Sequence, residues 1–174
     1  MRNIVLIGYR GCGKTTIGHL LAERLGHAFV DTDALVVRRA GKTIAAIFAE
    51  DGETVFRDLE ASAIAEATAR SGTILSAGGG AILRDDNVRR LRDFGTVFWL
   101  AADAETLWSR IQGDAASNAS RPALTGRIGL DEVRQVLGER EARYDKCAHH
   151  RIDVTDRAAA QVADTIEALL KRDR

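Results

Sequence analysis

Apolar residues recur along this chain in two alternating patterns. Short runs at Ile4–Ile7, Ala28–Val30, Thr73–Ser76, Thr96–Leu100 and Arg151–Val154 have strand length. Between them, apolar residues fall at helical spacing, as at Ile17, Leu20, Leu21 and Leu25 after the first run and at Val162, Ile166, Leu169 and Leu170 near the end. This βαβα order predicts an α/β fold of three layers, a parallel sheet with helices on both faces. Val97-Phe98-Trp99-Leu100 is apolar without alternation, the mark of a central strand buried on both sides. No internal repeat or linker divides the chain, so residues 1–174 are expected to form one domain.

The first strand runs into Gly8-Tyr9-Arg10-Gly11-Cys12-Gly13-Lys14-Thr15, which fits G-x-x-x-x-G-K-[ST]. Glycines allow positive φ and close approach to an anion, and the helix that follows points its positive end at the same place. Lys14 adds a full charge near the β- and γ-phosphates, and Thr15 offers a hydroxyl to Mg²⁺. A dinucleotide-binding turn would explain Gly11-x-Gly13 and an acid near Asp31, but it needs a third glycine where Thr16 stands and leaves Lys14-Thr15 without a role. The better reading is a nucleoside triphosphate.

Asp31-Thr32-Asp33 falls where the second strand gives way to a helix, at the carboxyl end where open α/β sheets bind ligands. One carboxylate there suits hydrated Mg²⁺ and the other suits an acceptor hydroxyl, while Asp33 or Thr32 as a helix cap is the ordinary alternative. Arg57 and Glu60 share one helix face beside Phe56, Leu59 and Ala63. A solvated ion pair is the default for them; a guanidinium aimed into the cleft, held by Glu60, would instead grip a small carboxylate. Gly78-Gly79-Gly80 follows the third strand, either as a flexible turn or as backbone amides presented to a ligand. Arg140, Arg143 and Tyr144 lie on a later helix, and His149-His150 lacks partners at metal-ligand spacing and reads as structural. Cys12 reads as a small side chain filling the loop. The small, polar Gly113–Ser120 leads into Arg121-Pro122 and Gly126, a surface loop or a lid over 113–126 that brings Arg121 to bound nucleotide.

Composition narrows the class. Lys+Arg and Asp+Glu both number 25, so no basic field argues for nucleic acid as a partner. No apolar stretch approaches the roughly 20 residues that span a bilayer, and the N-terminus runs straight into a strand, so neither a membrane nor a leader is expected. With two cysteines, Cys12 and Cys147, no disulfide framework forms, and a reducing cytoplasm is expected.

Taken together, these segments resemble the shikimate kinase family. The matching pieces, in the family's order, are Gly8–Thr15, Asp31-Thr32-Asp33, Gly41–Phe48, Phe56-Arg57-x-x-Glu60, Gly78-Gly79-Gly80, Arg121-Pro122, and Arg140 with Tyr144. The resemblance implies a nucleoside-monophosphate-kinase-like P-loop fold with a five-stranded parallel sheet and a mobile lid. It implies transfer of the γ-phosphoryl group of ATP to the 3-hydroxyl of shikimate, giving shikimate 3-phosphate and ADP in aromatic amino-acid biosynthesis. By position, Gly11, Cys12, Gly13, Lys14, Thr15, Thr16, Arg110 and Arg121 would bind ATP, with Arg110 against adenine. Thr15, and Asp31 through water, would hold Mg²⁺. Asp33, Arg57, Gly79, Gly80 and Arg140 would bind shikimate, and Lys14, Asp33 and Arg121 would carry the chemistry. A monomer is expected, with ATP and shikimate as its partners. Two features depart from the family: Ala123 stands where a leucine is usual after Arg121-Pro122, and the segment before Arg121 is long. Two other readings stay open, a gluconate-type kinase of another carboxylated polyol and a catalytically silent nucleotide-binding regulatory module.

Overall fold

The computed structural model describes residues 3–114 and 129–172. Its elements are β1 (Asn3–Ile7), α1 (Lys14–Leu25), β2 (Ala28–Asp31), α2 (Thr32–Ala40), α3 (Ile44–Glu50), α4 (Gly52–Ala67) and β3 (Thr73–Ser76). A 3₁₀ turn (Ala81–Leu83), α5 (Asp85–Phe94), β4 (Gly95–Ala101), α6 (Ala104–Gly113), α7 (Leu130–Cys147), β5 (His150–Asp153) and α8 (Ala159–Arg172) complete them. The five strands form one sheet in the order β2-β3-β1-β4-β5, parallel throughout.

Because side chains alternate across a strand, a run that is apolar at every position must be covered on both faces. Val5, Ile7, Leu75, Val97 and Trp99 enter one core, with side chains from α2 to α5. Ile4, Leu6, Ile74, Phe98 and Leu100 enter the other, under α1, α6 and α8. Helix α7 serves both, sending Val133 and Val136 to the second core and Tyr144 and Cys147 to the first. The closing helix packs on α1 through Val162, Ala163 and Ile166, as its spacing predicts.

The fifth strand starts one residue ahead of the apolar run. The backbone N–H of His149 donates to Val97 O at 2.8 Å, while its ring Nδ1 accepts the Val97 N–H at 3.0 Å. That double link opens the β4–β5 ladder, so His150 is already paired, opposite Phe98. The structural reading of His149 and His150 fits this. No helix among the described residues is long and apolar enough to cross a membrane.

From central β1 the chain runs outward to β2 and returns to β3, then crosses to β4 and β5 on the other side. The reversal opens a crevice at the carboxyl ends of β1 and β3, where the loop 8–14 and the residues after Ser76 lie side by side.

Candidate active site

The loop after β1 is shaped by its glycines. Gly11 and Gly13 have φ of 82° and 92°, and α1 begins directly after Gly13 with no side chain capping its first turn. Free helix-start amides of this kind suit an anion. Lys14 Nζ lies back over the loop, donating to Gly8 O at 2.7 Å and Tyr9 O at 3.1 Å, with Cys12 Sγ at 3.7 Å. Cys12 is buried and packs inside the loop. Gly11, Cys12, Gly13, Lys14, Thr15 and Thr16 line a cleft with Asp31, Asp33, Ser76, Arg110 and Arg157. Arg110 reaches it from α6, its guanidinium donating to Val154 O and Thr155 O at 2.9 and 3.0 Å.

Asp31 ends β2 and caps α2. Its Oδ1 accepts the N–H of Asp33 at 2.9 Å and of Ala34 at 3.2 Å, so the cap is neither Asp33 nor Thr32. Its Oδ2 takes no hydrogen bond among the described residues, and Asp31 lines the loop cleft with Thr15. Thr32 is turned inward, where its hydroxyl accepts the Gly78 N–H at 2.9 Å and ties the start of α2 to the triglycine. Asp33 is thereby set at the mouth.

A second cleft adjoins the first, walled by Ile44, Phe48 and Phe56 and by Asp33, Arg57, Glu60, Gly79, Gly80 and Arg140. Here the default reading of Arg57 and Glu60 gives way: they are 8% and 1% exposed, not solvated. Arg57 Nη1 donates to Glu60 Oε2 at 2.9 Å, its Nε and Nη2 reach Glu53, and its Cζ lies 5.1 Å from the centre of the Phe56 ring. Burial pushes the Glu60 carboxyl above its ordinary value, with Arg57 pulling it down and Asp33 adding to the rise. Its Oε1 is buried without a partner among the described residues.

The triglycine is a matter of room. None of Gly78, Gly79 and Gly80 has positive φ. A Cβ at Gly78 would meet Asp33 Oδ1 at 2.5 Å and Glu60 Oε1 at 3.0 Å, and one at Gly80 would press on the Arg57 guanidinium. Two bonds from α7 fix the turn: Tyr144 Oη donates to Gly79 O at 2.7 Å and Arg140 to the same oxygen at 3.2 Å. Burial drives the Tyr144 hydroxyl far above its usual pKa, which keeps it a donor. Arg143 is exposed and bonds Leu83 O instead.

The structure thus brings together in two adjoining clefts every predicted site residue except Arg121, which with 115–126 of the expected lid lies outside the described residues. Sequence reasoning passed over Arg10, which lines both clefts, and Arg157, which lines the first. Arg10 stands at a position the loop motif leaves open, so its charge was the one available signal.

Known proteins resemble this chain. The family model described as shikimate kinase matches residues 10–171. A shikimate kinase of Symbiobacterium thermophilum is 46% identical over 172 residues, covering 98% of this chain and 97% of that protein. The structure of shikimate kinase from Acinetobacter baumannii in complex with shikimate matches with a TM-score of 0.92 at 34% identity, over 100% of this chain and 95% of that one. A gluconokinase from Sinorhizobium meliloti has a TM-score of 0.59 at 16% identity, over 98% of this chain and 92% of that one, a likeness of fold alone. The chain belongs to the shikimate kinase family.

Proposed function

We propose that this protein transfers the γ-phosphoryl group of ATP to the 3-hydroxyl of shikimate. The observation that carries the reading is the meeting of two clefts of opposite character at Asp33. One is a glycine loop with Lys14 and a helix start, suited to phosphates. The other sets paired arginines against an apolar wall, suited to a small carboxylated ring. A gluconate-type acceptor is disfavoured by that wall, since an acyclic polyol presents little apolar surface to Ile44, Phe48 and Phe56.

In this reading the loop amides and Lys14 hold the phosphates, and Arg110 lies against the base. Arg57 and Arg140 receive the carboxylate, and Gly79 and Gly80 let the ring approach. Asp33 accepts the proton of the 3-hydroxyl as that oxygen bonds to phosphorus and the bond to the β-phosphate oxygen breaks, releasing ADP. Arg121 belongs to the same proposal as a cation on the transferring group. Phosphoryl transfer asks chiefly for positioning and charge stabilisation, which these groups supply.

The residues also fit Mg²⁺. Thr15 is exposed at the cleft and its hydroxyl makes no hydrogen bond among the described residues, nor does Asp31 Oδ2. No group of three or more His, Cys, Asp or Glu that could hold a metal occurs among the described residues, so the ion would arrive largely on the nucleotide. When bound it would neutralise charge on the β- and γ-oxygens.

The test is ADP release with ATP and Mg²⁺ against shikimate, quinate and gluconate, with the product identified by mass. Turnover on shikimate, well above the other two, is expected. Turnover on gluconate with none on shikimate would overturn the assignment.

A further inference from the structure

Among the described residues, two side chains line both clefts: Asp33, already given a task, and Arg10. Arg10 sits in the phosphate loop two residues beyond Gly8, with its side chain 14% exposed. Its Nη2 donates to Glu132 Oε1 at 3.2 Å. Its Nε, by contrast, is buried without an acceptor among the described residues. Its guanidinium carbon lies 5.8 Å from the centre of the Tyr9 ring, which shares the acceptor cleft.

Such an arrangement carries a cost that a ligand would offset. Glu132 is 2% exposed, and a carboxylate so placed requires a cation. Arg10 supplies one such cation, helped by the position of Glu132 in the first turn of α7, where the helix dipole favours negative charge. The pair fixes one end of the guanidinium to α7 and leaves a charged donor, Nε–H, unmet at the boundary between donor and acceptor. A buried donor without a partner costs free energy, and a negatively charged oxygen arriving there would recover it.

Resting on the reading of the site as a shikimate kinase, we propose that Arg10 is a further catalytic residue, contacting an oxygen of the phosphoryl group as it passes from ATP to the acceptor. Glu132 is its positioning residue. The step is otherwise unchanged: the bond from phosphorus to the β-phosphate oxygen breaks, the bond to the acceptor oxygen forms, and the hydroxyl proton goes to Asp33. Arg10 forms and breaks no covalent bond. It lowers the energy of charge on the oxygens in transit and then of the phosphate on the product.

A purely structural ion pair would affect stability and leave ligand preference alone, so the test compares two ligands that differ by one phosphate. Calorimetry gives the dissociation constants of shikimate and shikimate 3-phosphate for wild type and Arg10→Met. The variant should bind shikimate 3-phosphate about tenfold to hundredfold more weakly, the range for losing a charge-assisted hydrogen bond, while shikimate binding changes by less than about threefold. kcat should fall by a comparable factor. Equal small changes for both ligands would overturn the assignment. Arg10→Lys keeps the charge and serves if Arg10→Met does not fold; a Lys variant matching wild type in both ratios would count against a directed guanidinium contact. Glu132→Gln should weaken shikimate 3-phosphate in the same sense but less, and should add nothing in the Arg10→Met background. Additive losses would remove Glu132 from the positioning role. Failure of the wild type to bind or phosphorylate shikimate would instead refute the functional reading itself.

Discussion

Replacing Gly80 by alanine asks whether the triglycine makes room for Arg57. The added Cβ would lie 2.8 Å from both Cζ and Nη2 of Arg57 and closer still to Nη1. Unbonded heavy atoms settle near 3.5–4.0 Å, so the guanidinium must retreat by roughly 1 Å. It has little freedom to do so: it is buried, its Nη1 is held by Glu60 at 2.9 Å, and its Cζ lies over Phe56. Backbone strain does not enter, because Gly80 has φ −100°. If Arg57 grips the substrate carboxylate, the shift costs about 1.5–3 kcal/mol, the worth of a hydrogen bond to a charged group. That corresponds to a shikimate KM roughly 10- to 150-fold higher. Gly138→Ala, outside both clefts, is the control, since its Cβ would meet nothing within 4 Å. Initial rates by coupled ADP release at saturating ATP, with melting temperatures for both variants, decide the matter. A folded Gly80→Ala enzyme whose shikimate KM equals that of Gly138→Ala would refute the reasoning.

Three further outcomes are expected. Lys14→Met should lower kcat by about two to three orders of magnitude, as when a preorganised donor to transition-state charge is removed, with the fold retained by circular dichroism; near-normal turnover in a folded variant would exclude the phosphate role. Asp33→Asn should cost about 10²–10⁴ in kcat with a smaller change in shikimate KM, and a loss confined to KM would make Asp33 a binding group only. Glu60 sits above its ordinary carboxyl value of 4.5, because burial disfavours its charged form more than Arg57 favours it. The folded state therefore holds that proton more tightly than the unfolded chain, so this stabilisation is present below about pH 4.5 and fades as pH rises through the raised value. The melting temperature of wild type minus that of Glu60→Gln should accordingly decline as pH climbs from 4.5, and a rising difference would contradict the direction.

What was legible in the sequence is what local rules control. The glycine spacing and Lys14 mark the phosphate loop because the backbone there must approach an anion, whatever the rest of the chain does. The strands are legible because burial on both faces removes polar residues from Val97–Leu100 altogether. The cap of α2 was missed by one or two residues, since the choice among Asp31, Thr32 and Asp33 depends on where β2 stops pairing with β3, a matter of long-range register. Arg57 offered no local sign of burial; its surroundings come from Gly80, far along the chain, and from Phe56 beneath it. Gly78–Gly80 looked like a turn because the side chains that need its missing Cβ atoms belong to α2 and α4. Arg10 escaped because the motif is silent at its position, and its partner Glu132 is more than a hundred residues away.

The charge pattern around Arg57 bears on how an acceptor cleft already holding carboxylates can take another. Arg57 has two acidic partners, and they are not equivalent. Glu60 is 1% exposed and, once ionised, cannot leave without stranding a buried charge; Glu53 is 63% exposed and loses little by returning to water. A ligand carboxylate would therefore displace Glu53 from Nε and Nη2, while Glu60 stays on Nη1 and keeps the guanidinium plane in place. The site would thus exchange one carboxylate for another and bury no additional net charge at Arg57. On this account Glu53 serves as a stand-in that keeps Arg57 extended while the cleft is empty, and the specificity of the cleft lies in the geometry that Glu60, Phe56 and the absent Cβ of Gly80 impose together.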